Sequence, residues 1–209
     1  MKSIKSWSDI TVGQLIAIKK LDLEHKSNTL ATQSQLIKLL YGADAENMQF
    51  DEYMGKAMEI SEAFSTPLKG EYKPQVELCG KVYKAVPIEN FTTREFTDFD
   101  ALARENNDNN LPLLLALIYR SDDEQTDKDK YAESVKEKSK LFADNMDAVT
   151  AVGAVSFFTN ALLQYLRTTL LSSEKARMMM ESDPKMKELM RMLQATTSFC
   201  GRGGWKASA

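Results

Sequence analysis

Few residues in this chain could act on a substrate. There is one histidine, His25, in the polar stretch Leu23-Glu24-His25-Lys26. A lone imidazole without further ligands cannot close a metal site, so an exposed, inert side chain is expected. The two cysteines, Cys79 and Cys200, lie far apart and form no CxxC pair. Two free thiols of a reducing compartment are expected. Carboxylates are densest in Ser121-Asp122-Asp123-Glu124-Gln125-Thr126-Asp127-Lys128-Asp129-Lys130. Asp122, Asp123, Asp127 and Asp129 invite comparison with a calcium loop, but the loop's glycine is missing and Lys128 and Lys130 intrude. A solvated acidic loop is the expectation. No carboxylate pair has an identifiable acid–base partner. The chain is therefore read as not an enzyme, with no catalytic residue, no cofactor and no metal; a cryptic carboxylate site is the weakest alternative.

The residues suited to contact are easier to find. Six of the eleven methionines fall within 178–192. Met186, Leu189, Met190 and Leu193 repeat at helical spacing, and methionine adapts its shape to varied partners. Trp205 follows Gly201, Gly203 and Gly204, as an aromatic anchor on a hinge would. These five residues are the candidate protein-interaction site, with ordinary core packing as the competing reading of the methionine stripe.

The elements that must position such residues are mainly helical. Gly and Pro together number only 14 of 209 residues, too few for a sandwich of many short strands. About eight helices are expected: 11–22, 28–41, 50–64, 92–103, 110–120, a polar helix after the acidic loop, 145–171 and 173–195. Thr11 with Gln14, and Thr92 with Glu95, read as capping boxes. Gly42 suits the residue after a helix end. Pro112 falls in a first turn, where its missing N–H does little harm. One short β-hairpin is expected at 75–86, alternating polar and apolar residues around Cys79-Gly80. Residues 1–171 read as a compact domain and 172–209 as a C-terminal helical arm with a Gly/Trp tail.

A two-helix unit looks duplicated. Ile10-Thr11-Val12-Gly13-Gln14-Leu15 aligns with Phe91-Thr92-Thr93-Arg94-Glu95-Phe96, and Leu36-Ile37-Lys38-Leu39-Leu40-Tyr41 with Leu114-Leu115-Ala116-Leu117-Ile118-Tyr119. Such a unit cannot bury its apolar face alone and needs a partner.

Charge is distributed unevenly. The net charge is −3, but residues 1–42 hold six Lys and three acids, and residues 166–209 hold eight basic and four acidic side chains. The acidic middle and basic ends could meet between neighbouring copies. A pI near 5.4 argues against direct nucleic-acid binding through phosphates. The N-terminus lacks the apolar stretch of a signal peptide. Ala148 to Leu166 is uncharged and nearly long enough to span a bilayer. A buried core helix is the expectation there, and a membrane-associated helical protein using 148–166 is the alternative.

Several of these residues carry a family resemblance. The opening Trp7-x-Asp9-Ile10-Thr11-Val12-Gly13-Gln14-Leu15, the hairpin Val76-Glu77-Leu78-Cys79-Gly80-Lys81-Val82-Tyr83, the segment Leu113–Arg120 and the aromatic run Val155-Ser156-Phe157-Phe158 resemble small proteins of tailed bacteriophages, over roughly residues 7 to 170. That group comprises tail-assembly chaperones and other morphogenesis or virion components. The resemblance implies a non-enzymatic virion structural or tail-assembly protein, either a ring or tail-proximal subunit or a chaperone. It also implies partners among other phage structural proteins and copies of the chain itself, and a location in the virion or in host cytoplasm during assembly. The Met-rich last 40 residues depart from the group's pattern.

Overall fold

A computed structural model describes residues 3–24, 30–105, 107–122, 124 and 131–172. Over these residues the protein is mainly helical, with seven α-helices and one three-stranded antiparallel sheet. The helices are α1 (Val12–Glu24), α2 (Leu30–Tyr41), α3 (Phe50–Ala63), α4 (Thr93–Arg104), α5 (Leu111–Ile118), α6 (Tyr131–Asn145) and α7 (Ala148–Ser172). The strands are β1 (Gln75–Leu78), β2 (Lys81–Ala85) and β3 (Tyr119–Ser121). The eighth expected helix, 173–195, lies outside the described residues, as do His25 and Cys200.

Helix starts follow from local chemistry. The Thr11 N–H donates to Gln14 Oε1 at 3.1 Å while the Gln14 N–H donates to Thr11 Oγ1 at 3.3 Å. Thr92 and Glu95 make the same reciprocal pair at 2.8 and 3.3 Å. Each box satisfies donors that the first helical turn leaves open. α1 and α7 also begin at one tertiary knot. The Val12 N–H donates to Met146 O at 2.9 Å and the Ala148 N–H donates to Ile10 O at 2.8 Å, pairing Thr11 with Asp147 across an antiparallel bridge. Asp147 then caps α7, accepting from the Thr150 N–H at 2.8 Å.

The hairpin forms at the expected place, with Gln75 opposite Lys84 and Leu78 opposite Lys81. Its two turn residues, Cys79 (φ 52°) and Gly80 (φ 74°), are both left-handed, which suits the twist of a two-residue hairpin turn. One boundary differs from the sequence reading. The helix expected over 110–120 stops at Ile118, and Tyr119–Ser121 pairs with β2 as a third strand. The Val86 N–H donates to Ile118 O at 2.8 Å at this switch. The preceding Leu111–Ile118 is apolar on all sides, so periodicity alone does not mark where the helix gives way to strand.

α5 is the centre of the core. Leu111, Pro112, Leu114, Leu115, Ala116, Leu117 and Ile118 are all buried, between α6, α7, α4 and α1. Phe91, Phe99 and Phe158 form an aromatic cluster of edge-on and tilted rings, with centroids 4.8 to 6.5 Å apart. The two halves of the duplicated pattern share their caps but not their ends. α2 ends at Gly42 (φ 67°) with a partly exposed Tyr41, whereas Tyr119 is fully buried and donates its hydroxyl to Lys73 O.

The uncharged stretch forms α7. Ala148, Thr150, Ala151, Val152, Ala154, Phe158, Leu162 and Leu163 are buried in the protein. Its Gly153 crosses the 70–71 backbone so closely that a Cβ there would stand 2.2 Å from Glu71 C.

Candidate interaction surface

The densest buried charge lies where α4, β3 and α6 meet. Glu95 is 3% exposed. Its Oε2 accepts from the Thr92 N–H and hydroxyl, both at 2.8 Å, and its Oε1 pairs with Arg120 Nη2. Beside it Lys138 Nζ donates to Glu124 Oε1 at 2.6 Å and to Tyr119 O at 3.3 Å. Burial lowers the Lys138 pKa, and the bond to Glu124 opposes that shift. Two cations and two carboxylates neutralise one another here. The cluster ties helices to the sheet edge. Buried charges are tolerable only when paired in this way.

The acidic loop is described only in part. Asp122 is exposed and pairs with Lys84 at 2.7 Å, and Glu124 belongs to the buried cluster. Asp123, Asp127 and Asp129 lie outside the described residues. So the expectation of a wholly solvated loop needs correcting at Glu124. Its carboxylate is drawn inwards because Lys138 would otherwise be a buried cation without a counter-charge. Among the described residues, no three His, Cys, Asp or Glu side chains gather as metal ligands would. Cys79 is an exposed free thiol at the hairpin turn.

A different surface stands out on α3. Its inner face is fixed mostly by polar contacts. Lys56 lies over the Tyr41 ring at 4.6 Å from the centroid, and Tyr41 donates to Glu59 Oε2 at 2.8 Å. Burial, then the Glu59 carboxylate, holds the Tyr41 phenol well above its ordinary pKa. Ile60 and Ala63 complete that face, and at its C-terminal end Phe64 stacks on Trp7 with centroids 4.4 Å apart. The outer face is apolar but uncovered. Phe50 is 74% exposed, Met54 41% and Met58 68%. They fall at i, i+4 and i+8, one stripe along the helix. Leu30, 73% exposed, begins α2 next to this stripe, because Tyr53 Oη reaches Leu30 O at 3.5 Å. Single exposed apolar residues are ordinary, but a contiguous stripe marks a contact surface.

The sequence reading missed this stripe. Phe50, Met54 and Met58 have core-like types, so the sequence pattern gives α3 two apolar faces and does not say which one is covered. The interaction residues that it did single out, Met186, Leu189, Met190, Leu193 and Trp205, lie outside the described residues. No protein-family model, curated protein or solved structure matches this chain.

Proposed function

We propose that this protein is a non-enzymatic structural or assembly component of a tailed-phage particle, a ring or tail-proximal subunit or a tail-assembly chaperone. Its partners are other particle proteins and copies of itself. The α3 stripe is the observation that carries the contact function: an uncovered apolar stripe, with Phe50 and Met58 exposed by about two-thirds or more, calls for a protein partner. The phage assignment is supported by the residues quoted from the opening, the hairpin and the aromatic run. The buried ion cluster binds helices to the sheet, as a scaffold requires. A membrane role for α7 would require the protein to release residues 148–163 from its core.

Mass spectrometry of purified particles tests the reading. Recovery in the particle at stoichiometric copy number supports a virion subunit. Absence from particles, with a complex present during assembly, supports the chaperone form. Absence from both refutes the proposal. Deleting 197–209 is expected to leave thermal unfolding unchanged and to weaken assembly as measured by light scattering.

A further inference from the structure

β1 is an edge of the sheet. The strand order is β1-β2-β3, so β1 has a strand on one side only. The Ala85 N–H donates to Pro74 O at 2.8 Å, and β1 pairs with β2 in unbroken register from Gln75–Lys84 to Leu78–Lys81. Antiparallel pairs alternate between hydrogen-bonded and non-bonded. Residues 74, 76 and 78 therefore turn their backbone groups to β2, and the N–H and C=O of Gln75 and Glu77 turn outwards. Among the described residues, nothing bonds to those outward groups. Gln75 and Glu77 are exposed, as are Lys73 and Pro74 before them and Cys79 and Gly80 after. Pro74 does not block the edge, because the side on which it lacks an N–H faces β2. An open edge of this kind takes up a further strand.

We infer that β1 pairs antiparallel with β1 of a second copy, about a two-fold axis at Val76, so that one sheet runs through both copies. The edge is complementary to itself in this register. Gln75 faces Glu77 of the second copy on each side of the axis, and each such pair exchanges both backbone hydrogen bonds. An amide thus meets each carboxylate. Val76 faces its own copy in the closer, non-bonded position. It lies opposite Tyr83 on β2, which is buried, and packs on the core, yet stays partly exposed. The second Val76 covers what remains, and β-branched residues facing each other across strands are favourable. Other registers are worse. One places Glu77 opposite Glu77, two like charges face to face. Another places Glu77 opposite Lys73, but the chain bends at Pro74 and Lys73 O already accepts the Tyr119 hydroxyl. A two-fold contact closes on itself, so it builds dimers. The inference rests on the assembly reading, in its claim that copies of the chain are partners, and names their contact.

Sedimentation velocity of the full chain over a range of concentrations tests it, and a monomer–dimer equilibrium is expected. Gln75→Glu sets carboxylates opposite Glu77 in both bonded pairs and should weaken the dimer roughly fivefold. Gln75→Lys sets ammonium groups there and should strengthen it roughly fivefold. Gln75 is exposed, so unchanged circular dichroism and thermal unfolding are expected for both variants. Glu77→Pro removes an outward N–H, leaves the ladder to β2 intact and should abolish the dimer. Trapping fixes the register. In a background of Cys79→Asn, since asparagine tolerates a positive φ, and Cys200→Ser, mild oxidation should cross-link Val76→Cys copies to one another. Leu78→Cys copies, whose cysteines lie on opposite sides of the axis, should stay unlinked. Oligomers that ignore the charge at position 75 and are not trapped by Val76→Cys overturn this contact and leave the assembly reading standing. A chain that is monomeric at every concentration yet recovered in particles does the same. A dimer with the expected responses, from a chain absent from particles and assembly complexes, keeps the contact and overturns the particle reading.

Discussion

Gly153→Ala gives a sharp test of how α7 is packed, because local and tertiary physics predict opposite signs. Replacing glycine by alanine inside a helix normally gains up to about 1 kcal/mol. At Gly153 a Cβ would stand 2.2 Å from Glu71 C and 2.4 Å from Glu71 N and O. Comfortable carbon contacts are about 3.5–4.0 Å, so the crossing backbone must retreat by more than an ångström. That backbone is held: the Glu71 N–H donates to Val149 O at 3.0 Å, and the next ring, Tyr72, stacks on Phe157 at 3.9 Å. Overpacking of this kind costs about 1–3 kcal/mol, and a weakened hydrogen bond about 1 more. Set against the helix gain, the net loss is about 2 kcal/mol, a fall in Tm of roughly 4–8 °C for a chain of this size. At Gly55, on the open face of α3, an added methyl group would meet nothing within 4 Å. There the same substitution should gain about 0.5–1 kcal/mol and raise Tm by roughly 1–4 °C. Thermal unfolding followed by far-ultraviolet circular dichroism reads both. A Gly153→Ala protein as stable as the parent would refute the close crossing of residues 70–71 over α7.

Other outcomes follow from the same packing. Lys138→Met alone should destabilise by about 3 kcal/mol, because it leaves Glu124 buried without its cation, whereas Lys138→Met with Glu124→Leu should lie within about 1 kcal/mol of the parent; urea unfolding of the four proteins in the cycle checks this. The phenols of Tyr41, Tyr119 and Tyr131 are all held above their ordinary value near 10, chiefly by burial. A raised folded-state pKa contributes stability that is complete below the unfolded value and is lost as pH rises above it. Lys19 and Lys138, lowered by burial, act in the opposite sense, since the unfolded chain then holds more protons just below the ordinary lysine value. The three phenols dominate, so stability should fall steeply above about pH 10. Ultraviolet titration should show these tyrosines ionising together with unfolding; early, independent ionisation of all three would contradict their burial.

Features settled within a few residues of chain could be read from the amino-acid order. The capping boxes at Thr11–Gln14 and Thr92–Glu95 are contacts between positions three apart, and the hairpin at Cys79-Gly80 needs only a backbone able to adopt positive φ. The mainly helical class and the apolar α5 and α7 were legible for the same reason, through spacing along one chain segment. Other features depend on partners far away in sequence, and these became visible only in the folded protein. Tyr119–Ser121 is too short to show either period, and the free edge of β2 makes it a strand. Glu95 reads as a cap residue until Arg120 arrives beside it. Glu124 reads as one more solvated acid until Lys138 draws it inwards. Only the fold brings Gly70 and Glu71 across Gly153, a contact between positions about eighty apart in sequence. The spacing of Phe50, Met54 and Met58 puts them on one face, but periodicity records which residues share a face and not whether anything lies against it. Burial is a property of the neighbours that folding brings, and on α3 folding covers one face and leaves the other open.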